Sequence, residues 1–120
     1  MQKDYGMIDY PKRGEIYLIN LPLKPEDKKN RPALVISMDI RNEFAGDIIV
    51  IPLSSNLRKA PTHVLLDERE AGLLKPSMAK CEQITTLDKS FLVKGPFAGK
   101  ISENKLKEIE EAVKIAVGIL

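Results

Sequence analysis

Apolar residues recur along the first hundred positions in short segments, each bounded by proline, glycine or charged residues. The segments are rich in Ile, Val, Leu and Tyr, which favours strands over helices at this length. The predicted strands are residues 14–21, 33–37, 47–53, 62–67 and 77–85. Residues 90–101 are predicted to make a further hairpin-like return.

The period changes after Ser102, where apolar residues begin to recur at steps of three and four. This spacing places one apolar stripe along a helix and leaves Lys and Glu on the other side. Ser102 is a suitable N-cap, and Gly118 suits the C-terminal cap. Several short strands followed by one helix predict a mainly β fold, built as a small, strongly curved sheet or barrel.

The connections between the strands differ in composition. Residues 22–30 carry two prolines and several charges, so we expect an exposed loop with a basic end at Lys28 and Lys29. Residues 38–46 are predicted to form a loop with one helical turn. We expect one domain over residues 13–120, preceded by a lead-in of residues 1–12.

Composition narrows the classes of function. A chain of 120 residues is long enough for one compact core, and no apolar stretch reaches membrane-spanning length. The first residues contain acidic side chains and no apolar segment of signal-peptide length, so a cytoplasmic setting is expected. The net charge of +2 permits a nucleic-acid partner without demanding one. One histidine and one cysteine cannot supply a zinc cluster or a pair of catalytic histidines, so neither a metal nor another cofactor is expected.

These two residues have plain structural interpretations. His63 lies within the apolar run PTHVLL, where a hydrogen-bonded structural role is favoured over catalysis. Cys81 lies in a strand-like run, and an unpaired cysteine in that setting is usually a small buried apolar residue. We therefore do not expect a catalytic thiol.

Arg31 stands at the junction between the basic loop and an apolar strand. Pro32 disfavours helical geometry at the preceding residue, so Arg31 is expected to be extended. A guanidinium held at a strand edge presents a planar fork of donors suited to phosphate oxygens. A solvated arginine at a strand start is the alternative.

Several motifs together favour the phosphate role. In chain order they are RGEIY (13–17), RPALVIS (31–37), PLSS (52–55), PTHV (61–64) and CEQI with TLDK (81–84 and 86–89). Their order and spacing resemble the MazF/PemK (Kid) toxin family over about residues 12–118. Each motif alone is weak, but their common register makes the resemblance specific.

The resemblance implies an SH3-like small β-barrel of the CcdB/PemK type with a C-terminal helix, forming a homodimer. It also implies metal-independent, sequence-selective cleavage of single-stranded RNA by the toxin of a toxin–antitoxin pair. Arg31 corresponds to the arginine that faces the scissile phosphate. Ser54 falls where many members have threonine, and it keeps a hydroxyl there.

A second mechanistic proposal in the family uses an arginine and an aspartate two residues apart as acid and base. Here the corresponding residues are Lys80 and Glu82. Residues two apart on a strand share a face, so both are expected to project toward one phosphate. An exposed ion pair between them is the alternative of equal weight.

The resemblance also implies contacts to RNA outside the reacting groups. The residues assigned to RNA binding are Lys28, Lys29, Asn30, Ser55, Asn56 and Gln83. Two departures affect this group: the usual glycine-rich segment before the arginine is KPEDKKN here, and Thr85 replaces a common arginine. The RNA sequence that is cut therefore cannot be inferred from the resemblance.

The expected chemistry is attack by the RNA's own 2′-hydroxyl, giving a 2′,3′-cyclic phosphate and a 5′-hydroxyl. Expected partners are single-stranded RNA and an antitoxin whose acidic segment covers the RNA site. Two other functions stay open: a CcdB-like toxin that binds DNA gyrase, and a non-catalytic RNA-binding barrel. The first relies on a tail containing Trp, whereas this chain ends AVGIL and has no Trp. The second requires aromatic platforms, and the aromatic residues here form no paired motif.

Overall fold

The computed structural model describes residues 10–20 and 30–120. Lys28 and Lys29 therefore lie outside the described residues. In chain order the strands are β1 (Ile16–Asn20), β2 (Asn30–Val35), β3 (Asp47–Ser54), β4 (His63–Leu66), β5 (Ser77–Lys80), β6 (Thr85–Asp88) and β7 (Leu92–Lys94). The helices are α1 (Asp39–Phe44), between β2 and β3, and α2 (Glu103–Val117), after β7.

The described strands form one antiparallel sheet in the order β4-β5-β3-β2-β1-β7, with β6 paired to β3 outside this path. The path is not closed into a ring, but its curvature gives the barrel-like, mainly β fold that the sequence predicted. The long strand β3 organises the sheet, because it pairs with β2 on one edge and with both β5 and β6 on the other.

This shared edge explains why the prediction of one strand over residues 77–85 was wrong. β5 pairs with Leu53 and Ser54, whereas β6 pairs with Asp47 to Val50 at the other end of β3. The chain must therefore move along β3 between Lys80 and Thr85. It does so through a 3-10 turn at Cys81–Gln83.

Two clusters of buried side chains fill the two faces of the sheet. The inner cluster lies between the sheet and α2, and it includes Ile16, Leu34, Ile51, Leu66, Ile109 and Ala112. The outer cluster includes Tyr17, Ile19, Ala33, Val35, Ile48, Val50 and Leu87. Alternation along a strand sends successive residues to opposite faces, so both faces of the central strands are covered. Each fully buried Ile or Leu contributes roughly 1.5–3 kcal/mol relative to an exposed one.

Helix α2 agrees closely with its predicted limits. The Ser102 hydroxyl accepts a hydrogen bond from the Lys105 amide, and Gly118 ends the helix with a left-handed φ of +83°. Arg13 ties the helix to the sheet, since its guanidinium donates to Glu110 Oε2 at 2.9 Å and to the Ile36 carbonyl at 3.0 Å. The position of α2 is therefore fixed by polar contacts as well as by apolar packing.

Other predicted boundaries were less accurate. β1 begins at Ile16, two residues later than expected, and β2 begins at Asn30 instead of Ala33. The helical turn predicted between β2 and β3 is present as the six-residue helix α1. Within residues 90–101, where a hairpin-like return was predicted, the structure has the single strand β7, which pairs with β1. No helix within residues 10–20 and 30–120 has the length and apolar character needed to cross a membrane.

Candidate active site

Arg31 and Ser54 lie at the same end of neighbouring strands. The β2–β3 ladder pairs Val35 with Val50 and ends where Ala33 pairs with Pro52. Arg31 and Ser54 each come two residues beyond that last pair. Both are therefore on the same sheet face, since residues paired across an antiparallel ladder project together and alternate along each strand.

The same face continues across β5 and β4. Ser54 pairs with Met78 in β5, and Lys80 follows Met78 by two residues. Lys80 in turn pairs with His63 at the start of β4. Strand register thus brings two predicted site residues and one histidine to the face that carries Arg31.

Glu82 reaches this region from the 3-10 turn, not from a strand. Its Oε1 accepts a hydrogen bond from the Thr62 hydroxyl at 2.8 Å, and its Oε2 lies 3.1 Å from His63 Nε2. The predicted same-face arrangement of Lys80 and Glu82 is wrong, because the strand ends at Lys80. The structure records no ion pair between these two residues, and the carboxylate is bound to Thr62 and His63 instead.

Opposing effects act on the Glu82 carboxyl. Partial burial acts to raise its pKa, but hydrogen bonds from Thr62 and His63, a backbone hydrogen bond and the charge of His63 together outweigh it. The pKa of Glu82 is therefore lowered from its ordinary value. The group is an ionised carboxylate at neutral pH, still partly exposed with 39% of its side chain accessible.

His63 has the hydrogen-bonded structural setting that the sequence predicted. Its Nδ1 lies 2.7 Å from the Arg58 carbonyl oxygen, and 9% of its side chain is exposed. No feature of the sequence indicated that the other ring nitrogen faces Glu82. His63 and Glu82 are nineteen positions apart in the sequence, and their contact depends on the pairing of β4 with β5.

The segment after Ser54 is folded by its own side chains. The Ser54 hydroxyl accepts from the Asn56 amide at 3.1 Å, and Asn56 Oδ1 accepts from the Arg58 amide at 3.1 Å. These consecutive turns leave Ser55 and Asn56 exposed. Beside them is a cavity of about 420 Å³ lined by Leu57, Lys59, Ala60, His63, Leu65 and Met78.

The other predicted site residues occupy varied positions. Asn30 and Arg31 are exposed residues of β2, and Gln83 is exposed in the 3-10 turn. Among the described residues, no group of three or more His, Cys, Asp or Glu side chains is placed to hold a metal ion.

Cys81 is fully buried in the inner cluster. Burial, with a smaller effect from the charge of Glu82, raises the pKa of its thiol to about 12. The nucleophilic thiolate is therefore scarce at neutral pH. The prediction that Cys81 is a buried apolar residue is confirmed.

Comparisons with known proteins agree with this architecture. Residues 12–117 match the family described as PemK-like, MazF-like toxin of type II toxin-antitoxin system. The curated endoribonuclease MazF of Staphylococcus saprophyticus is 33% identical over 112 residues, which span 90% of this chain and 92% of the relative.

Solved structures are similar over nearly their whole length. A mycobacterial endoribonuclease in complex with its cognate antitoxin superposes with a TM-score of 0.76 at 25% identity, covering 92% of this chain and 97% of that one. MazF from Deinococcus radiodurans has the same fold, with a TM-score of 0.77 at 22% identity and coverages of 92% and 99%. On the family match over residues 12–117 and the identity to a curated relative, the chain belongs to the PemK-like, MazF-like toxins of type II toxin–antitoxin systems.

Proposed function

We propose that this toxin is a metal-independent, sequence-selective endoribonuclease that cleaves single-stranded RNA. The observation that carries the proposal is the grouping of Arg31, Ser54 and Lys80 on one sheet face. A fixed carboxylate, that of Glu82, is held beside this face by Thr62 and His63. Such a set combines phosphate-binding donors with a group that can accept a proton.

Arg31 is assigned to the scissile phosphate. It is exposed, and its backbone is held in the β1–β2 ladder, where its partner is Ile19. A guanidinium on a rigid strand offers donors that need little rearrangement when charge develops on phosphate oxygens. In this proposal it stabilises the five-coordinate phosphorus of the transition state.

The nucleophile is the 2′-hydroxyl next to the scissile phosphate. Its oxygen bonds to phosphorus as the P–O5′ bond breaks, leaving a 2′,3′-cyclic phosphate on one product and a 5′-hydroxyl on the other. Glu82 accepts the 2′ proton, because an ionised carboxylate is available at neutral pH, and Lys80 protonates the departing 5′ oxygen. An alternative assignment gives proton transfer to Arg31 and Ser54, with the Ser54 hydroxyl acting as a relay.

RNA contacts outside the reacting groups are assigned to residues around this face. Ser55 and Asn56 are held exposed by the turns after Ser54, while Asn30 and Gln83 are exposed on neighbouring elements. Lys28 and Lys29 complete the proposed RNA-binding set from outside the described residues. Lysines of this kind attract the phosphate backbone without reading sequence.

The proposed partners follow from family membership and from exposed surfaces. An antitoxin is proposed to bind through an acidic segment that covers the RNA site, in line with the mycobacterial relative described in complex with its cognate antitoxin.

A homodimer is proposed because large apolar side chains are uncovered at and just after the end of α2. Ile115, Ile119 and Leu120 are exposed by 46%, 59% and 108%. A cytoplasmic setting, where RNA is available, is part of the same proposal.

One experiment separates the three functions considered for this fold. The purified protein is incubated with a mixed RNA pool, and new 5′ ends are mapped by sequencing. We expect new 5′-hydroxyl ends within a shared sequence motif, and far fewer of them in a parallel reaction with Arg31→Ala protein. RNA retained but uncut would support a non-catalytic RNA-binding barrel, and inhibition of DNA gyrase without RNA cleavage would support a CcdB-like toxin.

A further inference from the structure

The imidazole of His63 lies between two segments that carry proposed site residues. Its Nδ1 is 2.7 Å from the carbonyl oxygen of Arg58, in the segment that follows Ser54. Its Nε2 is 3.1 Å from Oε2 of Glu82, in the turn that follows β5. The ring therefore connects the two segments directly.

Both ring nitrogens face atoms that accept hydrogen bonds. A backbone carbonyl has no proton to donate, and neither has an ionised carboxylate. Both contacts are hydrogen bonds only when each nitrogen carries a proton, which is the imidazolium form. A neutral ring keeps one of the two bonds and turns a lone pair toward an oxygen on the other side.

Backbone contacts fix the same junction. The His63 amide donates to the Ala60 carbonyl at 3.0 Å, and the Cys81 amide donates to the Thr62 carbonyl at 2.9 Å. The Thr62 hydroxyl holds the second oxygen of Glu82. Thr62 and His63 together thus orient both oxygens of one carboxylate.

Several charged groups surround this junction. Lys80 is the β5 partner of His63, and Lys59 lines the cavity next to the ring. Lys107, Glu108 and Glu111 of α2 line a separate groove with Pro61 and Val64, on the other side of β4. Among the described residues, Glu82 is the carboxylate in contact with the ring.

We infer that His63 is a positioning residue for the proposed cleavage reaction, whose ring clamps the Ser54–Arg58 segment to the Glu82 carboxylate. The inference rests on the proposed function, because it concerns how Glu82 is prepared to accept the 2′ proton. The clamp fixes the direction of the carboxylate and weakens its basicity. It also keeps the hydroxyl of Ser54 and the carboxylate at a constant separation.

The clamp gives the reaction a distinctive dependence on pH. Cleavage rises as Glu82 ionises, and the bonds from Thr62 and His63 place this rise at lower pH than for an ordinary carboxyl, since they lower its pKa. Removing the ring moves this rise to higher pH.

The test compares wild-type protein with His63→Gln, Thr62→Val and Thr62→Ser. Cleavage of a short RNA is followed from pH 4 to pH 9, and the Glu82 carboxyl is titrated in parallel by carbon NMR without RNA. For His63→Gln we expect a loss of roughly 10- to 100-fold, mainly in kcat, since misplacing a reacting group by about 1 Å costs on that scale. In this variant, the titration of the Glu82 carboxyl and the rise in cleavage should both move to higher pH.

The Thr62 variants test the inference without changing the ring, which also covers failure of His63→Gln to fold. Thr62→Val should move the rise in cleavage to higher pH, while Thr62→Ser should restore the wild-type profile. If the protein is active and His63→Gln leaves its pH profile unchanged, the inference is overturned and the proposed function stands. If His63→Gln does not fold, an unchanged pH profile for Thr62→Val has the same consequence. A wild-type protein that cuts no RNA would overturn both.

Discussion

Arg31 lies directly opposite Ile19 across the β1–β2 ladder. Arg31 is exposed, whereas its partner Ile19 is only 1% exposed. The neighbouring partners, Pro32 with Leu18 and Ala33 with Tyr17, continue the same ladder without interruption. The backbone at Arg31 is therefore held by packing that its own side chain does not supply. We therefore expect the strand to keep its place in the sheet when the Arg31 side chain is removed.

Replacing Arg31 with alanine should leave the protein folded and slow RNA cleavage by roughly 10²–10³-fold, the scale of losing one preorganised donor to a developing charge. Single-turnover cleavage measures the rate, and thermal unfolding checks the fold. Arg69→Ala is the matched control, because it removes another exposed guanidinium from the turn at Glu70–Gly72. Equal rates for Arg31→Ala and wild-type protein would remove Arg31 from the mechanism.

Glu82→Gln and Ser54→Ala should differ in their effect on cleavage. If Glu82 accepts the 2′ proton, its replacement should cost about 10²–10⁴-fold, and loss of the Ser54 hydroxyl should cost less. Ser54→Ala also removes the acceptor for the Asn56 amide, so Ser54→Thr, which keeps a hydroxyl, is its control. The reverse ranking would assign the proton-transfer role to Arg31 and Ser54.

A single 2′-deoxy substitution at the cleavage site should abolish cutting, because the nucleophile of the proposed reaction is then absent. Cleavage of the all-ribose oligonucleotide should persist in EDTA. The products are resolved by electrophoresis, and the 2′,3′-cyclic phosphate is identified by mass spectrometry. Continued cutting of the substituted oligonucleotide would rule out attack by the RNA itself.

Ser37→Ala should destabilise the fold by about 1–3 kcal/mol, the cost of leaving buried polar groups without partners. The Ser37 hydroxyl donates to the amide oxygen of the fully buried Asn42 and accepts from the Ile49 amide at 2.9 Å. This network fixes α1 between β2 and β3. Urea unfolding measures the change, with Ser55→Ala as the exposed control; equal losses for both variants would refute the buried network as the cause.

A cognate antitoxin should compete with RNA for the site, and its binding should weaken as salt rises. The proposed acidic segment gains charge-assisted contacts with basic groups near Arg31, and such contacts between exposed charges are screened by ions. Competition is measured by fluorescence anisotropy of labelled RNA from 50 to 500 mM salt. A ternary complex that still cuts RNA at the full rate would contradict this prediction.

Local sequence determined much of this protein. Apolar runs gave β3 and β4 to within one residue, because short β-branched segments bounded by turn residues have few other favourable conformations. The three- and four-residue period, with Ser102 and Gly118 as caps, gave α2. The resemblance to the MazF/PemK family identified Arg31, Ser54, Lys80 and Glu82 as candidates, and their catalytic roles stay predictions. The division into a lead-in of residues 1–12 and a domain of residues 13–120 also stays a prediction.

Only the tertiary structure decided where β5 ends and what Glu82 contacts. Local propensity favoured one strand through Cys81, but β5 and β6 share an edge of β3, so the chain must turn between them. That turn removes Glu82 from the face expected from alternation and brings it to Thr62 and His63 at the start of β4. Contacts between residues about twenty positions apart depend on which strands pair, and the period of the side chains alone does not encode that pairing. For this reason the partners of Glu82 could not be inferred from the sequence.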